Sequence, residues 1–335
     1  MKHNPNIESY VMECKGTKDI THDWITYYDI AKADSIYIDE LMNDLRIKHS
    51  NDVERIQQYI NYCNRIQAET GSRPSHFKPN NSFDLIRLDY QKTRIEFLKA
   101  KKSTPRVLLY IAGGAYVHSL TDHSLYSLQH YGEVIGDINC CTCVYRCSPN
   151  HSYQETLEDI ANTYEWLIHS GYQSENIFLM GDSSGGGTAI AFAMLMRDQK
   201  IALPKGMIIH CCYINYNRNS TSYITNQSRD FITGTNHLHD YIDELHIKGH
   251  DIHNPYFCPY YGDYKNLPPT LIQVSDTEIT YDDSVYVGEK CSQLGTPVHL
   301  EIYKNMFHDF ALLAPDLYTS RFSHNQVKKF INSLA

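Results

Sequence analysis

The run ENIFLMGDSSGGG at residues 175–187 decides the fold that this sequence predicts. An apolar strand, 176–181, leads directly into a Gly-x-Ser-x-Gly pattern centred on Ser183, and a helix over 183–199 follows at once. A strand that turns this sharply into a helix lifts the serine hydroxyl above the sheet. The glycines at 181, 185 and 186 permit the tight turn and close helix packing. Ser183 is therefore predicted to be a nucleophile.

Short apolar segments alternate with amphipathic ones on both sides of this run. FDLIRLDY (83–90) and TRIEFLKA (93–100) predict two antiparallel strands. Further strands are predicted at 106–114, 138–146, 206–214, 269–276 and 297–304, and helices at 152–171, 282–295 and the C-terminal end. Strands that alternate with helices indicate an α/β fold whose mostly parallel sheet is covered on both faces.

A serine nucleophile requires a base, and the base requires a carboxylate that fixes its tautomer. Where a serine stands on such a turn, the acid and then the histidine follow it along the chain. His308, in YKNMFHDF (303–310), comes just after the last predicted strand. A loop at this point can bring the imidazole over Ser183, so His308 is the predicted base.

The acid is expected after the strand 269–276, where the candidates are Asp276, Glu278, Asp282 and Asp283. Asp282 and Asp283 open a helix, where carboxylates commonly act as N-terminal caps. Glu278 lies in the turn between the strand and that helix and is therefore preferred, with Asp282 as the alternative.

Acyl transfer also requires amide donors for an oxyanion. One is expected from Ser184, the residue after the nucleophile, and the others from a glycine loop after an earlier strand. Ala112-Gly113-Gly114-Ala115 follows the strand RVLLYI (106–111) and occupies that position. The predicted oxyanion donors are the backbone amides of Gly113, Gly114, Ala115 and Ser184.

Composition limits the partners of this chain. The formal net charge of -9 argues against nucleic acid, because a phosphate-binding surface needs a basic excess. No window approaches the roughly 20 apolar residues of a membrane span. The polar start of the chain lacks the apolar core of a secretion signal. These features predict a cytosolic protein.

The cysteines and histidines do not predict a metal site. The six clustered cysteines lack paired CxxC spacing and lie in apolar runs, so they are predicted to be buried free thiols: Cys140, Cys141, Cys143, Cys147, Cys211 and Cys212. Two histidine pairs, His237 with His239 and His250 with His253, lack a carboxylate partner and are predicted to lie in solvated loops.

These motifs together resemble the hormone-sensitive-lipase-like bacterial esterases of the α/β-hydrolase superfamily. The resemblance extends from about residue 82 to 315 and rests on five segments: YIAGGAYV (110–117), VYRCSPNHSYQETLEDI (144–160), ENIFLMGDSSGGG (175–187), LPPTLIQVSDTEITYDDS (267–284) and MFHDF (306–310). It implies hydrolysis of small carboxylic esters through an acyl-enzyme, without metal or organic cofactor. The residues it implies are Ser183 as nucleophile, His308 as base, Glu278 as acid, and the amides of Gly114, Ala115 and Ser184.

The resemblance also implies a domain organisation. Residues 1–80 are polar, and the run 52–67 has the periodicity of a helix that either packs on the core or forms a lid. By resemblance, residues 1–80 form an N-terminal helical cap segment, and 81–335 form the α/β-hydrolase catalytic domain. The polar segment 215–255 is then an insertion that completes the cap. The implied partner is a small-molecule ester. A homodimer stays open, because the sequence does not indicate the oligomeric state.

The sequence departs from the family pattern in two places, the loop 112–115 and Asn150. The family's His-Gly-Gly-Gly loop reads Ala-Gly-Gly-Ala at 112–115, so Ala112 lacks a side chain that could hold the loop. Ala115 carries a Cβ that is strained if its φ is positive. Asn150 stands where the family carries Glu, and we have no physical account of this difference. Because the amides survive, we expect altered efficiency rather than lost chemistry.

Two other functions stay open at this stage. The altered loop favours a catalytically weak homologue that binds a small molecule without turning it over. An amidase or peptidase on the same fold would use the same residues. A trypsin-like protease is excluded, because its motif has glycine where this chain has Ser184, and because strands and helices alternate here.

Overall fold

The computed structural model describes residues 17–18, 24–28, 76–230, 232–234 and 242–334. The strands in these residues are β1 (Thr17–Lys18), β2 (Ile25–Tyr28), β3 (Phe83–Tyr90), β4 (Thr93–Ala100), β5 (Val107–Ile111), β6 (Asn139–Val144), β7 (Ile177–Asp182), β8 (Gly206–His210), β9 (Thr270–Ser275) and β10 (Val298–Tyr303). The α-helices are α1 (Asp122–Ile135), α2 (Tyr153–His169), α3 (Ser183–Asp198), α4 (Thr221–Thr225), α5 (Tyr281–Gln293), α6 (Phe310–Leu313) and α7 (Tyr318–Ser333). None of these helices is long and apolar enough to cross a membrane.

The strands form one sheet in the order β1-β2-β10-β9-β8-β7-β5-β6-β4-β3. The strands from β2 to β6 in this order run parallel to their neighbours. The pairs at the two edges are antiparallel. The predicted hairpin of 83–90 and 93–100 is confirmed, with Phe83 opposite Ala100 and Tyr90 opposite Thr93. The α/β fold with a mostly parallel sheet is therefore confirmed.

Helices cover both faces of the sheet. In β5, Leu109 packs into the hydrophobic cluster that contains α2, α3 and α5, whereas Leu108 and Tyr110 pack into the cluster that contains α1 and α7. All residues of β5, β7, β8 and β9 are buried. Because neither face meets water, apolar residues occur at consecutive positions in these strands and not only at every second one.

β8 ends earlier than the sequence predicts. The apolar run 206–214 predicted a strand, but the strand stops at His210, and Cys211 has a φ of 36° that takes the chain out of the sheet. Residues 211–214 stay buried, so composition does not distinguish them from strand. The N–H of Tyr213 donates to the carbonyl of Ser183 at 3.0 Å, which packs this segment on the turn that carries the serine.

The N-terminal segment contributes to the sheet, which corrects the prediction that residues 1–80 are a helical cap. Residues 25–28 form β2, which pairs parallel with β10, and β1 pairs antiparallel with β2. The β-branched and aromatic sequence ITYY of β2 suits a strand. The predicted helix 52–67 lies outside the described residues, so the remainder of the N-terminal cap stays a prediction.

The predicted cap insertion, 215–255, contacts the loop that follows β9. Its described parts include α4 and a single π-helical turn, Asp243–Ile247. Ser222 of α4 donates its hydroxyl to the carbonyl of Ile279 at 2.6 Å and accepts a hydrogen bond from the N–H of Asp282. The insertion is thus attached to the edge of the sheet where the parallel strands end.

The turn from β7 into α3 depends on two glycines. Ser183 has a φ of 51°, in the left-handed region, and α3 begins at this residue. A Cβ at Gly185 would lie 2.3 Å from the carbonyl oxygen of Ile111, and a Cβ at Gly181 would lie 2.4 Å from the carbonyl oxygen of Gly185. These are distances that no side chain tolerates, so the close packing of α3 against β5 and β7 requires glycine.

We expect Gly185→Ala to lower the free energy of unfolding by about 1–3 kcal/mol, because overpacking against backbone forces α3 away from β5. Gly186→Ala is the matched control, since its Cβ would lie 3.1 Å from the Cβ of Cys212 and meets no closer atom. Urea unfolding of both variants measures the difference. Equal effects in the two variants would contradict the packing argument.

Candidate active site

Three side chains from distant parts of the sequence meet at one edge of the sheet. Ser183 follows β7, Glu278 follows β9 and His308 follows β10. The strands β7, β8, β9 and β10 are parallel neighbours, so their carboxyl ends lie together, where α/β sheets bind ligands. Nε2 of His308 lies 2.9 Å from Oγ of Ser183, and Nδ1 lies 2.6 Å from Oε2 of Glu278. The three groups form one hydrogen-bonded chain with the order of a Ser-His-acid triad.

Glu278 is held in a desolvated position. Its side chain is 1% exposed, and its Oε1 accepts a hydrogen bond from the N–H of Ser275 at 2.6 Å. Burial raises the pKa of the Glu278 carboxyl, and the hydrogen bond with His308 opposes that rise. The imidazole is therefore the group that compensates this buried carboxylate.

The cap insertion supports the loop that carries Glu278. Nδ2 of Asn226 donates to the carbonyl of Glu278 at 2.8 Å, and Oδ2 of Asp230 accepts from the N–H of Ile279 at 3.0 Å. Asn226 and Asp230 lie about fifty residues before the loop, at separations of 52 and 49 positions. No local pattern in the sequence indicated either residue, because the contact exists only after the chain folds.

The other candidate acids do not contact His308. Oδ1 of Asp276 accepts from the N–H of Asn305, and Oδ2 of Asp282 accepts from the N–H of Ser222. Oδ2 of Asp283 accepts from the amides of residues 214 and 215 and from the hydroxyl of Tyr223. Asp282 and Asp283 lie in the first turn of α5, as predicted, but Asp282 binds Ser222 of α4, whereas Asp283 binds the segment between β8 and α4 and Tyr223 of α4.

His308 is buried, and two carboxylates act on its ring. Ser275 and Thr277 both donate a hydroxyl to the carbonyl of Met306, which holds the loop before the imidazole. Burial opposes the imidazolium, but the carboxylates of Asp309 and Glu278 outweigh it and raise the pKa of His308 to about 10. Asp309 was not among the site residues predicted from the sequence, although its position directly after His308 was an available signal.

The predicted oxyanion loop requires one correction. The N–H of Gly113 donates to Oδ1 of Asp182 at 2.8 Å, so this amide points into the protein and not into the site. The N–H of Gly114 donates to Oγ of Ser184 at 3.0 Å. Ala115 has a φ of 53°, so the strain anticipated for its Cβ is present. The N–H of Ser184 lies in the first turn of α3, where amides lack an intrahelical acceptor.

Two phenols and one carboxylate hold the loop where the family's histidine would stand. The hydroxyl of Tyr145 donates to the carbonyls of Ala112 and His118. Oδ1 of Asp182 accepts from the N–H of Gly113 and, at 2.6 Å, from the hydroxyl of Tyr110. The loop is therefore anchored without a polar side chain at residue 112.

An aromatic cavity lies along α3 beyond the serine. Its lining includes Gly187, Thr188 and Ala191 of α3 together with Tyr116, Tyr145, Tyr153, Tyr256, Phe257, His246, Thr156 and Leu157. Tyr116 directly follows the oxyanion loop and stacks on His246 of the cap insertion with ring centroids 4.2 Å apart. The cavity thus lies between Tyr116 after the loop 112–115, the helix α3 and His246 of the segment 215–255.

The described cysteines and histidines are used in packing and hydrogen bonding. The predicted buried free thiols are confirmed at all six clustered cysteines. His250 stacks on Phe257 and His253 packs on Tyr261, both exposed, whereas the other pair, His237 with His239, lies outside the described residues. Cys211, Glu278 and His308 each offer one atom within 4.8 Å of the others, but their atoms already bond within the triad and to Asp309, so we assign no metal there.

Comparison with known proteins extends this description. A family model for the alpha/beta hydrolase fold matches residues 108–312. An esterase of Acinetobacter venetianus is 29% identical over 70% of this chain and 78% of its own length. The crystal structure of an esterase/lipase from an uncultured bacterium matches with a TM-score of 0.76 at 22% identity, over 89% of this chain and 98% of that chain. An esterase of the bacterial hormone-sensitive lipase family matches with a TM-score of 0.72 at 23% identity, over 85% and 99%.

We expect Tyr145→Phe to lower the free energy of unfolding by about 1–3 kcal/mol, because two buried carbonyls of the loop lose their phenolic donor. Tyr126→Phe is the control, since that side chain is 52% exposed. Urea unfolding monitored by fluorescence compares the two variants. The anchoring role would be refuted by a Tyr145→Phe protein as stable as Tyr126→Phe.

Proposed function

The chain belongs to the α/β-hydrolase fold family, and from this premise we propose that it is a serine carboxylesterase that hydrolyses small carboxylic esters. The resemblance to hormone-sensitive-lipase-like esterases is confirmed by the esterase relatives. The observation that carries the proposal is the hydrogen-bonded chain from Ser183 through His308 to Glu278. In this proposal Ser183 is the nucleophile, His308 the base and Glu278 the acid.

The first step is acylation of the serine. Oγ of Ser183 attacks the ester carbonyl carbon while its proton passes to Nε2 of His308, 2.9 Å away. The resulting imidazolium is stabilised by Glu278, which accepts from Nδ1 and keeps the ring in the required tautomer. The buried position of Glu278 strengthens this interaction, since few waters compete for the charge.

Backbone amides stabilise the negative oxygen of the tetrahedral intermediate. The donors are the N–H groups of Ser184, Ala115 and Gly114, and the N-terminus of α3 adds its positive dipole end. The N–H of Gly114 bonds the Ser184 hydroxyl in the free protein, so the substrate oxygen must displace that hydroxyl. This exchange is the physical basis for expecting altered efficiency in the Ala-Gly-Gly-Ala loop.

The remaining steps reverse the proton path. The imidazolium of His308 protonates the leaving alcohol, which departs and leaves an acyl group on Ser183. A water then gives its proton to Nε2 and attacks the acyl carbon, and collapse of the second intermediate returns the proton to Ser183.

The aromatic cavity beyond the oxyanion loop supports a small apolar group on the substrate.

A protein that binds a ligand without turnover is the second candidate. The observation in its favour is the exchange required at Gly114, which would weaken oxyanion binding. An amidase or peptidase would use the same triad. Covalent labelling by a fluorophosphonate probe separates a reactive serine from a binding site, and a matched panel of esters and amides separates the hydrolase classes.

We expect Ser183→Ala to reduce kcat for short p-nitrophenyl esters by about 10⁴-fold or more, because the covalent path is removed. The variant should also resist the fluorophosphonate probe. Ser174→Ala, on the turn before β7, is the control and should keep full activity. Equal rates in the wild type and Ser183→Ala would reject the esterase proposal at this site.

We expect Glu278→Gln to reduce kcat on the order of 10³–10⁴-fold, because a neutral amide neither fixes the imidazole tautomer nor stabilises the imidazolium. Asp282→Asn is the matched comparison, since Asp282 is the alternative acid and binds the N–H of Ser222 instead. Initial rates on one ester, with folding checked by circular dichroism, test both variants. A larger loss in Asp282→Asn would assign the acid to that residue.

A further inference from the structure

The imidazole of His308 has a second carboxyl beside it, in addition to that of Glu278. This carboxyl belongs to Asp309 and lies near Nε2, the ring nitrogen that faces Ser183. Asp309 has a φ of 57°, in the left-handed region, and its side chain is 10% exposed. Oδ2 of Asp309 lies 3.3 Å from Nε2 of His308, and Oγ of Ser183 lies 2.9 Å from the same nitrogen. Nε2 therefore has two neighbours, of which only Ser183 has a place in the proposed mechanism.

The surroundings of Asp309 hold its carboxyl in this position. Oδ1 accepts a hydrogen bond from the thiol of Cys211 at 2.6 Å. Burial raises the pKa of the Asp309 carboxyl, and the nearby carboxyl of Asp182 raises it further. Oδ1 of Asp182 accepts from the phenol of Tyr110 and the amide of Gly113. Two neighbouring buried carboxyl groups do not both ionise readily, so this cluster tends to retain a proton.

The imidazole of His308 is the basic group that balances negative charge on this cluster of carboxyl groups. The titratable groups that face His308 and Asp309 come from each packed element: Glu278 after β9, Asp182 at the end of β7, Cys211 after β8, Asp230 from the cap insertion, Tyr110 from β5 and Tyr131 from α1. Within the described ranges, no Lys or Arg forms an ion pair with Asp182, Glu278 or Asp309. Burial raises the pKa of both phenols, so they stay neutral.

We propose that Asp309 and His308 share one proton at the serine-facing nitrogen, and that Asp309 thereby sets the pH above which Ser183 is activated. The inference rests on the proposed esterase function and adds a positioning residue to it. While the shared proton occupies Nε2, the imidazole donates to Asp309 and cannot accept the proton of Ser183. Release of that proton to water leaves a neutral imidazole beside the Asp309 carboxylate, and the hydroxyl of Ser183 then donates to Nε2.

The same carboxylate assists the later step. When Ser183 attacks the ester, its proton moves to Nε2 and re-forms an imidazolium 3.3 Å from Asp309. Asp309 and Glu278 then stabilise that charge from the two sides of the ring. Burial disfavours the charged ring, yet the two carboxylates together raise the pKa of His308. The consequence is a base that becomes free only at alkaline pH and is strong once free.

The test is the pH dependence of kcat/KM for a short p-nitrophenyl ester, measured for wild type, Asp309→Asn and Asp309→Gly. Removal of the carboxylate lowers the pKa of the base, so the acid limb should move to lower pH by about one to three units. Asn and Gly both adopt the left-handed region readily, so the backbone at this position is preserved. Asp316→Asn is the control, since that carboxylate is 79% exposed and pairs with Arg321. Its acid limb should coincide with that of the wild type.

A second measurement does not depend on turnover. The ring nitrogens of His308 are titrated by NMR in protein labelled with ¹⁵N-histidine, and their signals are assigned by their loss in His308→Gln. The pKa of His308 should be lower in Asp309→Asn than in the wild type. A shifted His308 titration without ester hydrolysis would leave the shared proton supported and reject the esterase proposal. The role of Asp309 would be overturned if His308 had the same pKa in the wild type and in Asp309→Asn. It would also be overturned if both proteins were active and the acid limbs of their kcat/KM profiles coincided.

Discussion

The contact on which the site depends is the close approach of the first turn of α3 to β5. It exists because residues 181 and 185 have no side chain, so the backbone of α3 lies against the carbonyl of Ile111. The same approach brings the hydroxyl of Ser184 to the amide of Gly114. A single packing constraint thus fixes the half-buried Ser183, the amide that follows it and the loop 112–115 relative to one another.

The second constraint is electrostatic. Glu278, Asp182 and Asp309 are carboxyl groups removed from water, and burial raises the pKa of each. Their compensation comes from hydrogen-bond donors and from the imidazole of His308, not from Lys or Arg in the described part of the chain. In such a site the carboxyl groups and the imidazole titrate together. An apparent pKa therefore describes the cluster and not one residue.

The segment 215–255, the predicted cap insertion, contacts the residues around the site. Asn226 and Asp230 bind the backbone around Glu278, so the acid is positioned from outside the sheet. His246 of the same insertion stacks on Tyr116, next to the oxyanion loop. The segment 215–255 therefore contacts the loop that carries Glu278 through several hydrogen bonds, from Ser222, Asn226 and Asp230.

The sequence by itself determined the strand, turn and helix around Ser183, the parallel sheet and the order of serine, acid and histidine, because periodicity and glycine placement are local signals. Position in the sequence alone also favoured Glu278 as the acid over Asp276, Asp282 and Asp283. Only the tertiary structure decided that Gly113 binds Asp182, that Tyr145 anchors the loop, that β2 completes the sheet and that Asp309 reaches His308. Each of these features depends on a contact between residues far apart in the sequence, or on the direction in which a group points. Local spacing in the sequence does not determine either one.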